Sequence, residues 1–149
     1  MPGEQRGLSP RLRKVLEDLA ERMVPSGGPD YPGSRDVNLP DRIIGIARGI
    51  PRGVTGLKAL LWIWELMPLF FFKFRTFSRL SPEAQINFLE QWEKSRIFVR
   101  RAALTALKAL FTAPFYSDPH VQKKIGYAED CLQPLERVVP AWSPEDEGR

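Results

Sequence analysis

The stretch that most constrains this chain runs from Leu57 to Phe77, LKALLWIWELMPLFFFKFRTF, and holds two of the four Trp and five of the nine Phe. Its main interruptions are Lys58, Glu65, Pro68, Lys73 and Arg75. A helix that is apolar all round must be covered by protein or by lipid, so the question of function begins with what covers this segment. From Ala59 to Phe72 the apolar run is about 14 residues, short of the ~20 that a spanning helix needs, and no transmembrane helix is expected.

With 149 residues the chain is expected to fold as one domain with a real core. A net charge of +4 and a pI near 9.5 describe a mildly basic surface, which suits an anionic membrane or an acidic partner and does not point to nucleic acid. The single cysteine, Cys131, excludes an internal disulfide framework and a metal-binding cysteine pair, and the single histidine, His120, follows Pro119 at a helix start. No Ser/His/Asp or Cys/His set can be assembled from these residues. Acid pairs such as Glu17 and Asp18, or Glu145 and Asp146, are adjacent in sequence and so diverge, whereas acid–base work needs carboxylates that converge on one pocket. No catalytic, cofactor-binding or metal residue is therefore expected. The opening MPGEQRGLSPRLRK has neither the apolar core of a Sec signal nor a twin arginine, so the expected location is the cytoplasm or the inner face of its membrane.

Helix signals recur along the chain, and no alternating strand pattern or repeat appears, so the expected fold is all-α, with about five to six helices. Ser9 is an N-cap with Pro10 at the first helical position, and Leu12, Val15, Leu16, Leu19 and Met23 follow at helical spacing to about Val24. PSGGPDYPGSRDVN then reads as a loop of successive turns. A short helix from Pro40 to before Pro51 has Ile43, Ile44, Ala47 and Ile50 as its apolar stripe, while Gly45, Gly49 and Gly53 read either as a bare face or as part of a Gly-rich turn. Thr55 is read as the cap of the central helix, which Pro68 kinks or ends, with Leu69 to Phe77 continuing as a second helical piece. Ser81, Pro82 and Glu83 start the next helix, expected to end before Pro114. Asp118 and Pro119 start a last short helix, closed by Gly126. Residues 1–127 are thus expected to form the domain, and 128–149, with three prolines, an acidic cluster and Trp142, an extended arm that packs on this domain or on a partner.

If Ser81 to Ala113 were one helix, Arg96 and Arg100 would project among Leu89, Trp92, Ala103, Leu107 and Phe111, while Phe98 would face the polar stripe. Either the helix breaks near Ser95 to Phe98 or both faces are covered. A guanidinium in an apolar setting needs a partner. Glu65, Glu90 and Asp41 are candidates within the chain, as is a carboxylate or carbonyl of another subunit.

Two blocks carry a family resemblance. LSPRLRKVLEDLAERMVPSGGPDYPG resembles the start of the gluconate 2-dehydrogenase subunit 3 family, where an Arg-hydrophobic-hydrophobic-Pro step precedes a Pro/Gly/Asp loop. FSRLSPEAQINFLEQWEKSRIFVRRAALTALKALFTAPFYSDPHVQKKIGY is similar to the non-flavin N-terminal region of long-chain fatty alcohol oxidases of the glucose-methanol-choline (GMC) class. The resemblance implies a non-catalytic small subunit that assembles with a large FAD-binding GMC oxidoreductase. FAD would sit in that partner, and the small subunit would shape access of an apolar, long-chain or sterol-like alcohol. The chain lacks the Tat signal of secreted members, and only a short arm follows Ile-Gly-Tyr. The residues expected to meet the partner, the substrate channel or a membrane are Trp62, Trp64, Phe70, Phe71, Phe72, Phe74, Arg96, Phe98, Arg100, Tyr127 and Trp142. The alternative is a peripheral membrane or lipid-binding helical protein with no enzyme partner.

Overall fold

A computed structural model describes residues 7–28, 31–71 and 74–127. Phe72, Cys131, Trp142 and the expected arm lie outside the described residues. Among those described the fold is all-α, with six helices: α1 (Pro10–Met23), α2 (Leu39–Gly49), α3 (Gly53–Phe70), α4 (Pro82–Glu93), α5 (Phe98–Tyr116) and α6 (Pro119–Lys124), plus a 3-10 turn at Phe77–Arg79.

Helix starts follow their capping chemistry. The hydroxyls of Ser9 and Ser81 accept from the backbone N–H groups of Leu12 and Ala84, and Asp118 accepts from His120 and Val121, each cap followed by proline. These acceptors satisfy amides that the first turn leaves without intrahelical partners. At the other end of α6, Gly126 adopts φ +75°, Tyr127 N–H reaches Gln122 at 2.9 Å and Gly126 N–H reaches Lys123 at 3.3 Å. This paired closure needs a left-handed residue, which glycine supplies without a Cβ penalty.

Three expectations are corrected. The central helix begins at Gly53, not at a Thr55 cap; Arg52 takes φ +60° and Gly53 N–H bonds to Ile50 O at 2.9 Å. A Cβ on Gly53 would lie 2.3 Å from the Ala47 carbonyl, so the turn depends on glycine there, while Gly45 and Gly49 face open space. Pro68 and Pro114 sit inside α3 and α5 rather than ending them. Each lies two residues before its helix end, so one backbone bond is forgone, and both rings are buried. Leu69 to Phe77 is not a second helical piece: α3 stops at Phe70, and a connector leads to the 3-10 turn.

The core gathers α1 (Leu12, Val15, Leu16, Leu19), α2 (Leu39, Ile43), α3 (Leu57, Leu61, Trp64), α4 (Phe88, Trp92) and α5 (Leu104, Leu107, Phe111). Ile50, expected on the inner stripe of α2, is instead 55% exposed, because the helix ends before it and its backbone turns extended. Ion pairs rivet the periphery, among them Arg13 to Asp41 at 2.9 Å and Arg42 to Asp118.

Candidate functional site

The central helix is only half enclosed. Leu57, Leu61, Trp64, Glu65 and Pro68 face inward. The opposite face carries Ala59, Trp62, Ile63, Leu66 and Leu69, all exposed. Ala59, Trp62, Leu66 and Leu69 recur at steps of three, four and three residues, the spacing of a seam that receives another helix. By length and composition α3 is long and apolar enough to cross a membrane. Its inner face is built into this domain, however, around a fully buried carboxylate.

That carboxylate, Glu65, is held from both sides. Arg11 donates through Nε at 3.0 Å, and Ser78 donates through its backbone N–H at 2.9 Å and its hydroxyl at 2.7 Å. Burial pushes the Glu65 carboxyl up, but the Ser78 donors, with Arg11, outweigh it and hold the group below the usual carboxylate range. Arg11 also lies 5.3 Å from the centre of the Trp62 ring, so one guanidinium joins the buried acid to the outer face. The result is an α3 whose orientation is fixed.

Glu21 plays the same part for the loop after α1. It accepts from Ser26 N–H at 3.0 Å and from the hydroxyls of Ser26 and Ser34 at 3.0 and 2.8 Å. Burial raises its carboxyl, and these donors together with Arg35 bring it below the usual range.

The break anticipated near Ser95 to Phe98 is real: α4 ends at Glu93 and α5 starts at Phe98. It resets the register and separates the two arginines. Arg96 is exposed, while Arg100 is half-buried with its guanidinium carbon 4.4 Å from the Phe71 ring centre and 5.9 Å from that of Trp92. The expected carboxylate partners are taken elsewhere: Glu65 by Arg11, Glu90 by Lys94 and Asp41 by Arg13. Arg100 is therefore stabilised over aromatic faces, which suit a planar, weakly hydrated cation.

The remaining expected contact residues divide. Trp64 is corrected to a core residue, 2% exposed, with its ring centre 5.0 Å from that of Trp92. Phe71 packs edge-on against Trp92 at 5.9 Å and near Phe88 at 6.2 Å. Trp62, Phe70, Phe74, Phe98 and Tyr127 are exposed. Phe70 and Phe98 flank the contact of Arg100 with Phe71, which ties the end of α3 to the first turn of α5, and Phe74 lies in the connector that follows α3. Tyr127 follows α6, which packs at the opposite end of α5.

Sequence reasoning missed one feature. A groove of about 240 Å³ lies between α2, α3 and α5, lined by residues including Ile46, Ile50, Gly53, Leu60, Leu110 and Pro114. The nearest signal was the series Gly45, Gly49 and Gly53, of which only Gly53 lines the groove. None of the lining residues is ionisable, so the groove can seat an apolar group but offers no acid or base. Among the described residues no three His, Cys, Asp or Glu side chains converge as a metal site would require.

Compared with protein-family models, curated proteins and solved structures, the chain matches none.

Proposed function

We propose that this chain is a small accessory subunit that assembles with a large FAD-binding alcohol dehydrogenase or oxidase of the GMC type. In this reading it stabilises that subunit and shapes the approach of an apolar alcohol, while the flavin and the chemistry belong to the partner. The observation that carries the proposal is the outer face of α3. Ala59, Trp62, Leu66 and Leu69 form a helical seam with no covering element among the described residues, and the buried Glu65 clamp on the opposite side fixes its orientation. An apolar stripe of this kind on a folded domain marks a surface that another chain covers. The two blocks that resemble gluconate 2-dehydrogenase subunit 3 and fatty alcohol oxidases give the partner its class. The groove beside Ile46, Ile50 and Leu60 supplies a second, purely apolar recess that a partner side chain can fill.

Co-expression with a FAD-binding GMC subunit from the same genome tests the proposal. The expected result is co-purification of a stoichiometric complex, lost or weakened at least about tenfold when Trp62→Ser and Leu66→Ser are combined, as for a central apolar anchor. A soluble, monodisperse chain that forms no complex with that flavoprotein overturns it.

A further inference from the structure

The end of the domain where α3 stops and α5 starts is built differently from the seam on α3. Phe70, Phe74, Phe98 and Val99 are 76, 87, 73 and 71% exposed, and Ile97 is half exposed. They come from a helix end, a connector and a first helical turn, so no single helix presents them as one stripe. Phe74 moreover holds φ +49°, a left-handed conformation that is uncommon for an aromatic residue. The contact of Arg100 with Phe71 and Trp92 holds the two helix ends together, so the apolar tips project from one rigid end.

Cations flank these tips along the chain. Arg75, Lys94, Arg96 and Arg101 are exposed, and Arg100 is half-buried. Within the same segments the carboxylates are Glu90 and Glu93, which already meet Lys94 at 2.9 Å and Lys108 at 2.8 Å. From Phe70 to Arg75 and from Glu90 to Arg101, among the described residues, cations outnumber carboxylates five to two. Aromatic and aliphatic tips flanked by arginine complement an anionic bilayer surface, where phosphates take the guanidinium groups and the headgroup layer takes the rings. A helix partner would instead call for one continuous stripe, whereas these tips come from three different segments.

We infer that this end of the domain is a membrane-docking tip, which inserts Phe70, Phe74, Phe98 and Val99 into the headgroup region of an anionic bilayer. This inference does not rest on the flavoprotein reading. Phe70 lies at the end of the seam on α3, but Phe74, Phe98, Val99, Arg75 and Arg96 lie outside that helix, and vesicle binding needs no protein partner.

The experiment uses the full chain and sucrose-loaded vesicles of phosphatidylcholine, alone or with about one-third phosphatidylglycerol. The expected result is co-sedimentation with the anionic vesicles, weaker with the neutral ones and reduced by salt. Binding should fall by about tenfold or more in Phe98→Ser/Val99→Ser, through lost apolar insertion, and in Arg75→Glu/Arg96→Glu, through reversed charge. All four side chains are exposed, so thermal unfolding by circular dichroism should match that of the parent, and either pair suffices if the other fails to fold. Absence of binding by the full chain overturns the inference. So does binding that both pairs leave unchanged, or binding that appears only when residues 128–149 are deleted, which would make the arm the occupant of this end.

Discussion

The guanidinium of Arg100 lies over the face of Phe71, 4.4 Å from its ring centre, and this one contact joins the end of α3 to the first turn of α5. A cation held between two aromatic rings is worth about 1–2 kcal/mol when partly desolvated. Arg100→Ala should lower unfolding stability by about that amount, Arg100→Met by less, because its stem keeps the packing, and Arg100→Lys least, because it keeps the charge as well. Denaturation followed by tryptophan fluorescence measures this, since Trp92 is the second ring. An alanine variant as stable as the parent would refute the cation–aromatic account.

Glu65 gives a prediction with a defined pH sign. Its folded carboxyl titrates below the ordinary range, so the folded state binds fewer protons than the unfolded one. The stabilisation is complete above the ordinary carboxylate value of about 4.3 and is lost as pH falls through the folded value. Glu65→Gln should therefore cost about 2–4 kcal/mol near neutral pH, where an ion pair and charge-assisted bonds are lost. The gap between variant and parent should close in strong acid. Chemical denaturation at neutral pH and near pH 3 distinguishes the cases, and a gap that does not change with pH contradicts the assignment.

Glycines at two positions should behave oppositely. A Cβ on Gly33 would fall 2.3 Å from the Ser26 Cα and 2.5 Å from the Pro25 carbonyl oxygen, which are backbone atoms with no room to yield. Gly33→Ala should destabilise by more than about 2 kcal/mol, as overpacking against fixed atoms does. Gly45 lies inside α2 with nothing within 4 Å of the added carbon, so Gly45→Ala should stabilise by about 0.5–1 kcal/mol. Thermal melts of the two variants check both signs.

Combined Trp62→Ser and Leu66→Ser should lower the stability of the isolated chain by about 1–2 kcal/mol, through the lost Arg11 contact and the covered parts of two side chains that are 40 and 36% exposed, well short of the cost of truncating core residues. Light scattering should show the isolated variant to be less prone to self-association than the parent, as removal of an exposed apolar stripe requires. A large loss of stability would mean that the face is already covered within the chain.

The fold was legible where local chemistry decides it. Ser9, Ser81 and Asp118 each cap the helix that their sequence announces, and Gly126 closes α6 as its position demands. It was not legible where packing overrides propensity. Pro68 and Pro114 read as helix ends, yet their buried rings fit the core, and α3 and α5 each run two residues further. The start of α3 carries no cap signal at all, because it is set by the left-handed Arg52 and by contact of Gly53 with Ala47. Of the apolar surface, sequence identified the segment but not its faces: Trp62 and Trp64 are two residues apart, and only the register of α3 sends one outward and the other into the core. The aromatic shelter of Arg100 was equally hidden, since Phe71 and Trp92 meet it only in three dimensions.

The four residues between α4 and α5 are also a phase setting. Every residue added to or removed from a helix rotates the side chains beyond it by about 100°. If the chain ran through the break as continuous helix, Leu104, Leu107 and Phe111 would not keep their alignment with α4, and Arg100 would leave its rings. The length of this connector should therefore tolerate substitution well and insertion badly. In the evolution of such a chain the spacing there, more than the identity of the residues, is what selection can act on.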